Sequence, residues 1–170
     1  MKILRDVDVF RPTFIEQPVP RRHLDAMAGF AAALDTPILA DESCFDAVDP
    51  MELVRRQAAD AISVKLTKCG GLFKAHALMV IADTAGLPGY GGTFGKAASR
   101  SPPAPQLIAA TPGISLSCEF YMPHHVLTED VLEARIANCE GHVEVPDGPG
   151  LRITVSEASL RGNAKILAEA

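Results

Sequence analysis

The sequence predicts an α/β fold of parallel βα units, a partial (β/α)8-type barrel, followed by a small antiparallel element. Short apolar or β-branched runs alternate with longer stretches whose apolar residues recur at helical spacing, the pattern of successive βα units. Near Glu140 that alternation gives way to period-two alternation around a Pro-Gly turn.

In chain order, strands are predicted at 13–16, 38–41, 61–65, 89–92 and 114–118. Helices are predicted between them at 21–34, 50–57 and 72–85, with Asp49 as the cap and Pro50 in the first position of the second, and Gly86 followed by Pro88 ending the third. Five strands within the first ~120 residues is the pace of a barrel but short of its eight. Beyond them, 142–145 and 151–155 are predicted to pair antiparallel across Pro146-Asp147-Gly148-Pro149-Gly150, and 156–170 reads as a polar helix or tail. The expected division is 1–139 for the barrel part and 140–170 for the β segment and tail.

At 170 residues and 48% hydrophobic, the chain can bury a sizeable core as a soluble domain or part of one. Its 16 Lys and Arg against 21 Asp and Glu include no block of like charge, so there is no basic stripe for a phosphate backbone and no nucleic-acid partner is expected. No apolar core follows Met1-Lys2-Ile3-Leu4-Arg5-Asp6, and no run approaches the ~18 apolar residues of a membrane span, so a cytoplasmic protein without a membrane partner is expected. Cys44, Cys69, Cys118 and Cys139 are widely spaced and read as reduced packing residues rather than zinc ligands or a disulfide framework.

Catalytic groups of a parallel barrel gather at the C-terminal strand ends. Phe14 and Glu16 share one parity on the first strand, Leu39 and Asp41 on the second, and Ser63 and Lys65 on the third, so the charged groups can all point inward; Glu119 follows the last strand. Two inward carboxylates make a hard-oxygen site suited to magnesium or manganese, and the ammonium beside them can act as acid, base or charge stabiliser. The same spacing also suits a collar of strand-end salt bridges, and two carboxylates are few for a divalent ion. Lys68, Lys74 and His76 read as solvated helix-face groups, and His124-His125 as a loop pair.

Phe14-Ile15-Glu16-Gln17-Pro18, Leu39-Ala40-Asp41-Glu42-Ser43 and Val64-Lys65-Leu66-Thr67-Lys68-Cys69-Gly70-Gly71-Leu72 resemble three successive signatures of the muconate-lactonizing branch of the enolase superfamily. The intervals agree as well: 41 − 16 = 25, 65 − 41 = 24 and 119 − 65 = 54 residues. The resemblance implies Glu16 and Asp41 as ligands of Mg2+ or Mn2+ on the fourth and fifth barrel strands, Lys65 on the sixth as a catalytic lysine, and Glu119 at the end of the eighth as a second catalytic group. It implies that Gly91-Gly92-Thr93 is the seventh-strand motif and that the segment from Pro146 to Leu151 returns to a capping domain; Glu42 reads as a residue that orients Asp41 and Lys65 rather than as a ligand. The implied reaction is lactone formation from muconate or a substituted muconate, a small carboxylate of aromatic catabolism, through an enolate-like intermediate. Dipeptide epimerases and o-succinylbenzoate synthases share this framework.

The family's Lys-x-Lys pair, third metal carboxylate and N-terminal capping domain would lie upstream of Met1. The expectation is therefore a truncated chain, inactive alone, that forms homo-oligomers or associates with a missing N-terminal half through open strand edges. A non-catalytic remnant is the alternative. In 95–105, where the family has a small-residue helix, Pro102, Pro103 and Pro105 are expected to stop a helix. One choice of codons turns this segment into the family helix by a single-base shift, so a frame-shifted segment with a frayed or displaced helix is expected there.

Overall fold

The computed structural model describes residues 1–93, 103–120, 132–133 and 138–163. Helix α1 (Lys2–Asp8) precedes β1 (Ile15–Glu16), and the chain then alternates through α2 (Leu24–Ala31), β2 (Ile38–Ala40), α3 (Asp49–Arg56), β3 (Ala61–Val64), the short α4 (Leu66–Cys69), α5 (Leu72–Thr84) and β4 (Gly89–Gly91). The four strands make one parallel sheet in the order β1-β2-β3-β4, with Ile15 opposite Ile38, Leu39 opposite Ala61, and Ile62 opposite Gly89.

Strand parity divides the sheet as the sequence predicts. Ile15, Ile38, Ala40, Ile62 and Val64 join Met27, Leu53, Leu78 and Met79 of the helices in one buried cluster, each large side chain contributing about 1.5–3 kcal/mol. Leu39 and Ser63, of the opposite parity, are buried on the other face. That face is concave. A flat sheet would hold β1 and β4 about 14 Å apart, yet the rings of Phe14 and Tyr90 meet at 5.1 Å, so the sheet curls around its inner side.

The fifth expected strand is only partly formed. Leu116 N donates to Gly89 O at 3.0 Å and Glu119 N to Gly91 O at 2.9 Å, so this segment runs along β4, but its single bridge is Gly91–Cys118. Ser117, at φ +81°, breaks the extended backbone. Asp49 also departs from expectation: it lies inside α3, capped by Val48, and its carboxylate accepts from the backbone N–H groups of Phe45 and Asp46 in the preceding turn.

Helix α6 (Pro103–Ala109) opens at the prolines themselves, and the segment before Pro103, where the expected helix would stop, lies outside the described residues. Pro103 and Pro105 stand in its first turn, where the N–H groups have no intrahelical acceptor to lose. The antiparallel element is also rearranged. β5 (Asn138–Cys139) pairs with β6 (His142–Val143) across Glu140 and Gly141, both at positive φ as a two-residue hairpin turn requires. The pairing expected between 142–145 and 151–155 is absent, since Pro146 and Pro149 lack N–H donors and Arg152 sits at φ +51°; Val155 bridges Leu132 instead. The boundary expected after Cys139 falls in the hairpin turn. Helix α7 (Glu157–Asn163) opens the expected terminal helix.

The expected segment 95–102, His124 and His125, and the tail 164–170 lie outside the described residues. Cys44 and Cys69 are buried, Cys118 is half-buried, and Cys139, expected to pack, is exposed; all are free thiols. Among the described residues no helix is long and apolar enough to cross a membrane.

Candidate active site

The C-terminal ends of β1, β2 and β3 bring Glu16, Asp41 and Lys65 together. Lys65 Nζ donates to Asp41 Oδ2 at 2.5 Å and lies 3.7 Å from Glu16 Oε1. An open cavity of about 680 Å³ is lined by these three groups with Arg21, Glu42 and Glu119. The expected acidic and basic positions therefore share one cavity.

Asp41 is held on two further sides. Lys68, one turn into α4, reaches back so that Nζ donates to Asp41 Oδ1 and Asp41 O at 2.8 Å each and to Ser63 O at 2.7 Å. The Lys68 side chain is 1% exposed, which overturns its reading as a solvated group. Lys74 and His76 are exposed, as expected. Gln17 Oε1 accepts from the backbone N–H groups of Asp41 and Ser43 at 2.9 and 3.0 Å, while its Nε2 donates to Ser43 Oγ and Val19 O at 2.8 Å. Glu42 is exposed, and no hydrogen bond among the described residues joins it to Asp41 or Lys65. The contacts that orient Asp41 come from Gln17 and Lys68, because the residue after a strand end points away from its neighbour.

Gly92 makes room for the lysine. A Cβ there would lie 2.6 Å from Lys65 Cε and 2.6 Å from Ser63 Oγ, closer than packed atoms approach.

Burial raises the Glu16 carboxyl above the usual carboxylate range, and the nearby Asp41 charge raises it further against the opposing pull of Lys65. Burial acts on Asp41 in the same direction, but Lys68 and Lys65 outweigh it and hold Asp41 below its ordinary value. Burial alone would lower Lys65; the hydrogen bond and charge of Asp41, with Glu16, outweigh it and keep Lys65 above the ordinary lysine value. Lys65 is thus an ammonium at neutral pH, ready to donate a proton or stabilise negative charge.

The donor chemistry of Glu16 and Asp41 fits a hard divalent cation. After burial, the Asp41 charge is the next contribution raising the Glu16 carboxyl, and a bound cation would relieve both. No group of three potential ligands forms among the described residues, so these carboxylates supply two positions, and water or substrate oxygens suit the others. Gln17 and Lys68 are the site residues that the sequence reading missed. Both stand inside the quoted motifs, and the spacing of Lys68 three residues after Lys65, across one helical turn, is the signal that could have placed it.

A curled parallel βα sheet that brings two carboxylates and a lysine together at its C-terminal strand ends has the architecture of part of a parallel α/β barrel. The chain belongs to the enolase C-terminal domain-like family, whose model matches residues 1–159. It is 35% identical over 147 residues to muconate cycloisomerase 1 of Rhodococcus opacus, covering 86% of this chain and 39% of that protein. It is 40% identical over 87 residues to a hydrophobic dipeptide epimerase of Enterococcus faecalis, covering 51% of this chain and 25% of that one. The crystal structure of a muconate cycloisomerase from Azorhizobium caulinodans superposes with a TM-score of 0.86 at 83% identity, over 98% of this chain and 47% of the other. The chain thus spans less than half the length of these relatives.

Proposed function

We propose that these residues form the metal-and-lysine side of a muconate cycloisomerase-type isomerase acting on a small carboxylate. Glu16 and Asp41 bind Mg2+ or Mn2+, Lys65 is the acid/base or electrostatic catalyst, and Glu119 is a second catalytic group on the cavity wall. The observation that carries this reading is the convergence of Lys65 on Asp41 at 2.5 Å and Glu16 at 3.7 Å from three neighbouring strands. The bound metal supplies Lewis-acid stabilisation of negative charge on the substrate carboxylate. Lys65, charged and held at fixed reach, stabilises or protonates the enolate-like carbon skeleton. Lys68 and Gln17 keep Asp41 in place. Four carboxyls line the cavity against Arg21 and Lys65, so the lining repels a carboxylate substrate until positive charge is added.

The E. faecalis relative supports a second reading, epimerisation of a dipeptide. Replacing the matched region of the A. caulinodans enzyme with this chain, and following muconate by ultraviolet absorbance beside a dipeptide epimerisation assay, separates the two. Turnover of muconate is expected, falling about 10²- to 10⁴-fold in Lys65→Ala. Turnover unaffected by Lys65→Ala would overturn the assignment. By itself the chain is expected to leave muconate unchanged, because the four-stranded sheet shields only one side of a substrate from water.

A further inference from the structure

Arg21 is a second cation on the cavity wall, and it is positioned at both ends. Its carbonyl accepts a 2.8 Å hydrogen bond from the Ser43 hydroxyl, which in turn accepts from Gln17 Nε2 at 2.8 Å. Its guanidinium carbon lies 4.2 Å from the centroid of the Phe45 ring. Pro18 and Pro20 restrict the backbone leading to it. Although carboxyls line the same cavity, none among the described residues pairs with Arg21. Stacking on a ring face leaves the N–H donors in the guanidinium plane free for a planar anion. Lys65 sits at the other end of this wall, hydrogen-bonded to Asp41 and 3.7 Å from Glu16, and presents a point charge rather than a planar fork.

We propose that Arg21 binds the second carboxylate of a dicarboxylate substrate whose first carboxylate sits at the Glu16, Asp41 and Lys65 end. The proposal rests on the metal-and-lysine reading of the site and makes it more specific. A dipeptide bound by its carboxylate would bring an ammonium to Arg21 and be repelled, so this arginine selects for muconate-like dianions and against the epimerase substrate class.

The test is calorimetric, on the full 170-residue chain with excess Mn2+. Its ligands are muconate and sorbate, the same diene chain with a single carboxylate. The unsubstituted chain is expected to bind muconate roughly tenfold more tightly than sorbate. Arg21→Leu is expected to remove that gap while leaving sorbate affinity unchanged, and Arg21→Lys, which keeps the charge but not the fork, to retain part of it. Asp41→Asn is expected to weaken both ligands alike. A preference for muconate that survives in Arg21→Leu, or that is absent from the unsubstituted chain, overturns the role of Arg21. Affinities for both ligands that survive Asp41→Asn overturn the metal-and-lysine reading instead.

Discussion

Lys68 donates to a carboxylate and two carbonyls from a nearly closed position, so removing it strands buried acceptors. Lys68→Met is expected to cost about 2–3 kcal/mol in urea denaturation. An unchanged midpoint would mean that the clamp on Asp41 carries no stability. Glu16 has the opposite sign. Its folded pKa is raised, so its ionised form costs stability once the pH exceeds the unfolded value, and Glu16→Gln should stabilise the metal-free chain at neutral pH. With 37% of the side chain exposed, the gain is at most about 1 kcal/mol, and it should vanish below the ordinary carboxylate range, where both states are protonated. Thermal melts at the two pH values check this. Glu16, Asp41 and Lys65 were legible in the sequence because strand parity is a local, period-two property. Lys68 was not: a lysine one turn into a helix looks solvated until the fold brings the end of β2 beneath it.

Among the elements, β4 and the turn after it set the room available to the lysine. Gly92→Ala should push Lys65 away from Asp41, costing about 1–3 kcal/mol by overpacking and weakening metal binding together with stability. Denaturation and a manganese titration of the same variant measure both, and a variant matching the parent in each would show that the close approach is relaxed in solution. The parallel strands and helices α2, α3 and α5 were readable from apolar period and punctuation, since each is short and locally consistent. Three features were not. Ser117 breaks the fifth strand by adopting a left-handed backbone, which serine does not signal. Helix α6 was not foreseen, because prolines that cannot continue a helix can also open the first turn of a new one. The hairpin partner of β6 depends on a Glu-Gly turn that is weaker in sequence than the Pro-Gly turn beside it.

At the scale of the whole molecule, the inner face of a curled sheet carries Glu16, Asp41 and Lys65, while among the described residues its β1 edge and α1 remain open. Ile3, Val9 and Phe10 are 76%, 77% and 85% exposed, and among the described residues β1 pairs on one side only. Concentration-dependent association in sedimentation is therefore expected, reduced by Phe10→Asp, and a chain monomeric at all concentrations would contradict it. Glu16 and Asp41 are proposed to hold a divalent cation together beside Lys65. Calorimetric titration with Mn2+ reads that binding. Weak binding is expected, on the order of 0.1–1 mM for a site with two protein carboxylates, and it is lost in Asp41→Asn and in Glu16→Gln. Submicromolar binding that survives Asp41→Asn would contradict it.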